Sequence, residues 1–109
     1  MLNLSPSPKI FLFHKPINML KSFQGLVSEV QAFFSKEDLL NGAYFVFLNR
    51  SRDKMKVLYW DHDGLAIWYK RLEKGTFSQT KESQLNRREF LMLLEGVTPK
   101  RMQKRFSLS

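Results

Sequence analysis

Three aromatic, apolar runs with only short links between them constrain this chain most. They cover residues 43–49, 54–60 and 65–71. The first link, 50–53, is polar and basic. The second is Asp61-His62-Asp63-Gly64, where Asp and Gly are expected to supply the unusual turn dihedrals. A parallel pair of strands needs a crossover of a dozen or more residues. Links this short therefore predict an antiparallel meander.

Other elements fit around that meander. Residues 9–13 read as a short strand, expected at a sheet edge. Asn18 is positioned to cap a helix on which Leu20, Phe23, Val27, Val30 and Phe34 form an apolar face, ending near Ser35. Gly25 inside it suggests close approach of another backbone. Asn41-Gly42 is a turn, and residues 76–78 read as the start of a fourth strand. The last helix is the best specified. Asn86 and Glu89 make a capping box, Leu85 and Phe90 occupy staple positions, and Gly96 is a stop with Pro99 beyond it. The expected fold is α+β: an antiparallel meander sheet of three or four strands with two helices packed on one face. Residues 1–8 are expected to be a flexible N-terminus, 9–98 a single domain, and 99–109 a mobile basic tail.

Length and composition narrow the chemistry. The 109 residues suit one domain. With no cysteine, disulfides, thiolate zinc sites and iron–sulfur clusters are excluded. The longest apolar stretch, 43–48, is far below the roughly 20 residues of a membrane helix. The first residues lack the pattern of a signal peptide, so a cytoplasmic protein is expected.

Charge is unevenly distributed. The net charge is +8, of which residues 1–48 supply +1 and residues 49–109 supply +7. Arg50, Arg52, Lys54 and Lys56 alternate, Lys70 and Arg71 end the third run, and Lys100, Arg101, Lys104 and Arg105 form an acid-free tail. Such a field attracts polyanions, so these ten side chains are the candidate DNA contacts. Tyr59, Trp60, Trp68 and Tyr69 lie on neighbouring strands, and successive residues face opposite sides. Burial or a protein interface is the commoner use of such rings, and stacking on unpaired bases the rarer. Trp60, Trp68 and Tyr69 are the candidate partner-binding residues.

Catalysis has little support. Asp61, His62 and Asp63 with Glu73 suggest a metal site, but two-metal nucleases need carboxylates converging from separate elements. Neighbouring Asp residues in one turn are better explained by bonds to local amides. No cofactor, small-molecule substrate or enzymatic role is expected.

Several segments carry a family resemblance. Pro16-Ile-Asn-Met-Leu-Lys-Ser-Phe-Gln-Gly-Leu26 opens it, and 41–50 continues it. Lys56-Val-Leu-Tyr-Trp-Asp-His-Asp-Gly64, Trp68-Tyr-Lys-Arg-Leu-Glu-Lys-Gly-Thr-Phe77 and Leu93-Leu-Glu-Gly-Val97 follow. Together they resemble the second-frame, Orf2-like TnpB accessory proteins of IS66-type bacterial insertion sequences. The resemblance implies a non-catalytic accessory factor working beside a separate transposase and a sister accessory protein. Direct DNA binding is the expected mode, and an adaptor that docks the transposase without touching DNA is the alternative. The chain departs from the family pattern at Asn18, Leu20, Ser22, Gln24 and His62. Leu20 stands where Arg is usual and His62 where Gly is usual.

Overall fold

A computed structural model describes residues 7–96 of the chain. Its elements are β1 (Ile10–Leu12), α1 (Phe23–Gln31), α2 (Lys36–Leu40), β2 (Tyr44–Leu48), β3 (Lys54–Asp61), β4 (Gly64–Arg71), β5 (Gln84–Leu85) and α3 (Arg87–Glu95). The expected meander is β2, β3 and β4, paired antiparallel from Phe45 opposite Leu58 to Asp61 opposite Gly64. Among the described residues no helix is long and apolar enough to cross a membrane.

The fold is α+β, but the sheet is not the expected one. It has five strands in the order β4-β3-β2-β1-β5 and is mixed. β1 lies parallel to β2, Ile10 opposite Tyr44, and β5 closes its other side. It is thus interior, not an edge. The physical reason is the connection between them: a crossover carrying two helices returns the chain to the end where it began, which antiparallel links cannot do. Residues 76–78 form no strand beyond a single β-bridge at Thr76. Phe77 is instead buried, its N–H donating to the Arg52 carbonyl at 2.8 Å.

Helices cover both faces, again unlike the expectation. On one face α3 packs Phe90 and Leu93 over Ile10, Leu12, Val46, Met55 and Val57. On the other, α1 and α2 bring Leu26, Val30 and Leu39 onto Phe45, Phe47 and Leu58. All five residues of β2 are buried. Its unbroken apolar run is what a strand covered on both faces requires.

α1 is shorter than its periodicity suggests. It starts at Phe23 rather than after Asn18, whose side chain accepts the Leu20 N–H at 2.8 Å in a local turn. Leu20 is 89% exposed and Phe23 is also exposed, while Leu26 and Val30 hold the buried stripe. Phe34 lies past the helix end and joins a ring cluster, 4.6 Å from Phe11 and 5.1 Å from Phe45. What approaches Gly25 is the Lys21 side chain, not another backbone. α2 was not anticipated, although Ser35 and Asp38 form a complete capping box for it. α3 matches its expectation: Glu89 N–H to Asn86 Oδ1 is 2.7 Å, Asn86 N–H to Glu89 Oε1 is 2.8 Å, and Gly96 ends the helix at φ 74°.

Candidate nucleic-acid interface

The turn between β2 and β3 is built by one side chain. Asn49 Oδ1 accepts the N–H groups of Asp53 and Lys54 at 3.1 and 3.0 Å, and its Nδ2 donates to Ser51 and Asp53. The Asp53 carboxyl sits below its ordinary pKa because it accepts from Asn49 and then Ser51. A turn fixed this way interrupts the strand, so alternation does not govern residues 50–53. Arg50 points to solvent. Arg52 has φ 60° and turns inward, its guanidinium donating to the carbonyls of Phe77 and Ser78. Burial lowers its pKa, and its Nε has no partner among the described residues. Arg52 therefore fastens the turn to the α3 side of the molecule and is withdrawn from the candidate DNA contacts.

Lys56 is withdrawn too. It is only 8% exposed, and its ammonium donates to the carbonyls of Met19 at 2.7 Å and Lys21 at 2.8 Å. The same Nζ lies 4.9 Å from the centre of the Tyr69 ring. Burial lowers its pKa. The chain around Met19 has carbonyls that no helix satisfies, and Lys56 meets them. This side chain is a peg holding the 16–21 segment against the sheet.

The pegged segment forms one wall of an open cleft of about 740 Å³. Residues 16–20 stand on one side and Asn49, Arg50 and Ser51 on the other, with Lys54 and Tyr69 completing it. Tyr69 is 51% exposed. Lys54 pairs in register with Arg71, and Lys56 with Tyr69, so all four share the α1 face. No carboxylate lines the cleft among the described residues. Among the described residues Arg71 is bound only by the exposed Glu73 at 3.1 Å, a contact of small net worth.

The structure thus brings together Arg50, Lys54, Tyr69 and Arg71. It separates Lys70, which is exposed on the opposite, α3 face. Trp68 also faces α3 and packs against its core. Trp60 is half-buried, its Nε1 donating to the His62 carbonyl at 3.1 Å. Lys100, Arg101, Lys104 and Arg105 lie outside the described residues. Among the described residues no three His, Asp or Glu side chains converge as a metal site. The β3–β4 turn places its left-handed residue at His62, φ 57°, rather than at Asp or Gly. The cleft wall at 16–20 was missed as a site element. Its signals were Pro16 and the local bonding capacity of Asn18, which compete with a helix start.

The family profile described as IS66 Orf2-like protein (TnpB_IS66) matches residues 8–104. The chain belongs to that family. A protein of Sinorhizobium fredii named uncharacterized protein y4jC is 27% identical over 109 residues, spanning 96% of this chain and 92% of its own length. No solved structure matches the chain. The family match spans all the described elements, so the cleft and its peg are built within the family's own domain. Membership associates the chain with insertion sequences and their accessory proteins.

Proposed function

We propose that this IS66 Orf2-like protein is a non-catalytic accessory factor in transposition that holds DNA in the cleft beside Tyr69 and assists a separate transposase. The observation that carries this reading is the grouping of Arg50 and Lys54 beside the exposed Tyr69 ring in a cleft that no described carboxylate lines, with Arg71 next to Lys54 across the β3–β4 ladder. Cations at such spacing bind phosphates with little regard to sequence. An exposed tyrosine between them suits stacking on an unpaired base. The basic tail residues Lys100, Arg101, Lys104 and Arg105 add to the chain's positive charge, and Lys70 carries it to the far face of the sheet.

The test is DNA binding titrated with salt. Affinity should fall steeply as salt rises, and Arg50→Ala and Lys54→Ala should each lower the slope of log K against log salt by about 1. Tyr69→Ala should weaken single-stranded DNA by about 1–3 kcal/mol per stacked base and duplex far less. Binding that is absent at low salt, or insensitive to salt, overturns the reading.

A second reading, an adaptor that docks the transposase without touching DNA, draws on Leu91 and Met92, apolar and exposed on α3. Capture of purified transposase that survives nuclease treatment, with no gel shift by the small protein alone, favours it.

A further inference from the structure

β4 is an open edge of the sheet, eight residues long, and it runs against β3 without a bulge. The Leu72 N–H donates to the Asp53 carbonyl at 2.8 Å. Antiparallel ladders alternate bonded and non-bonded pairs. Counting back from that bond, Gly64, Ala66, Trp68 and Lys70 turn their backbone groups toward β3. Leu65, Ile67, Tyr69 and Arg71 turn theirs outward, where no described element meets them. An open row of N–H and C=O groups is a template for another strand, and proteins that keep such an edge free blunt it with Pro, bulges or charge. The stretch Gly64-Leu-Ala-Ile-Trp-Tyr69 has none of these.

We propose that β4 pairs antiparallel with β4 of a second copy of this chain, joining two sheets about a two-fold axis at Ile67. Charge selects this occupant and this direction. The turn leading into β4 carries exposed Asp61 and Asp63, and the far end carries exposed Lys70 and Arg71. Antiparallel self-pairing sets the acidic end of each copy against the basic end of the other. Parallel pairing would oppose like charges. Only an isologous contact repeats both attractions with one surface. With the axis at Ile67, Asp63 faces the partner's Arg71, Leu65 faces the partner's Tyr69, and Ala66 faces the partner's Trp68. A small residue thus meets a large one, and the weak Arg71–Glu73 contact leaves Arg71 free to change partner. The pairing uses backbone groups and does not depend on the DNA reading.

Sedimentation equilibrium of the full chain without DNA tests it. The expected result is a mass of two chains at micromolar concentration. Asp63→Arg should raise the dissociation constant about tenfold, and adding Arg71→Asp should restore most of that loss, since opposed charges are only exchanged. Both positions are exposed, so circular dichroism should be unchanged. In the dimer the Leu65 and Tyr69 amides should exchange slowly, and in the Asp63→Arg variant at low concentration they should exchange quickly. A single-chain mass at every concentration overturns the proposal, as does a dimer indifferent to both substitutions. A monomer with slow Leu65 and Tyr69 amides means another segment of the same chain covers the edge, and it equally overturns it.

Discussion

The start of α3 is fixed by groups close together in sequence, and the segment leading into α1 by groups far apart. At the first, Asn86 and Glu89 cap the helix that Phe90 and Leu93 anchor, within one turn or two. At the second, α1 has no side-chain cap at Ser22, and the segment before it is held by Lys56, 37 and 35 residues from the carbonyls it serves. The contrast teaches where function can be built. A helix that starts late leaves the segment before it with unsatisfied carbonyls and an irregular wall, and a buried cation that satisfies them leaves a cleft beside it.

Five substitutions break or sharpen that contrast. Phe90→Ala should cost about 3–5 kcal/mol, because a fully buried ring leaves a cavity under α3. The shift of the urea midpoint measures it, and a loss below about 1 kcal/mol would mean that α3 is not what closes its face. Next comes Lys56→Met, which keeps the stem and removes the donor to two carbonyls. It should cost about 1–3 kcal/mol and speed hydrogen exchange around residues 19–21, with α3 amides unaffected. On the proposed reading it should also weaken DNA binding by loosening the cleft wall.

The same variant has a pH signature. The folded chain holds the Lys56 pKa below its ordinary 10.5. Between the two values the unfolded chain binds the extra proton, so this site makes stability rise with pH there. That rise should vanish in Lys56→Met. If thermal melts of the two proteins run parallel over alkaline pH, the ammonium is not buried as described.

Smaller effects follow. Asn86→Ala should cost about 1 kcal/mol by removing the cap of α3, and Ser35→Ala less, since α2 has only five residues to lose. His62→Gly should instead raise stability by up to about 1 kcal/mol, because His62 occupies the left-handed region at φ 57° and glycine does so without strain. Differential scanning calorimetry of the three variants orders them, and an unchanged melt for His62→Gly would show the turn carries no strain.

Much of the molecule was legible before the structure. The strands β2, β3 and β4 appear within a residue of their expected bounds, and α3 with both its caps. The α1 region was misread for a stated reason. Leu20 and Phe23 continue the apolar spacing of Leu26 and Val30, yet Asn18 bonds its own neighbours and delays the helix start to Phe23. The basic residues 50, 52, 54 and 56 alternate in sequence and were all candidate DNA contacts. The Asn49 turn and the pegged segment divide them, leaving only Arg50 and Lys54 at the cleft.

Sequence alone determined the elements whose causes are local: strand runs bounded by short turns, and helix ends set by side chains three residues apart. Tertiary structure alone decided that β1 inserts parallel beside β2, that helices cover both faces, and that Lys56 points at carbonyls instead of phosphates. Local geometry is settled by steric and hydrogen-bonding choices of neighbouring residues. The destination of a long cationic side chain depends on which distant backbone groups remain unsatisfied once the chain has closed upon itself.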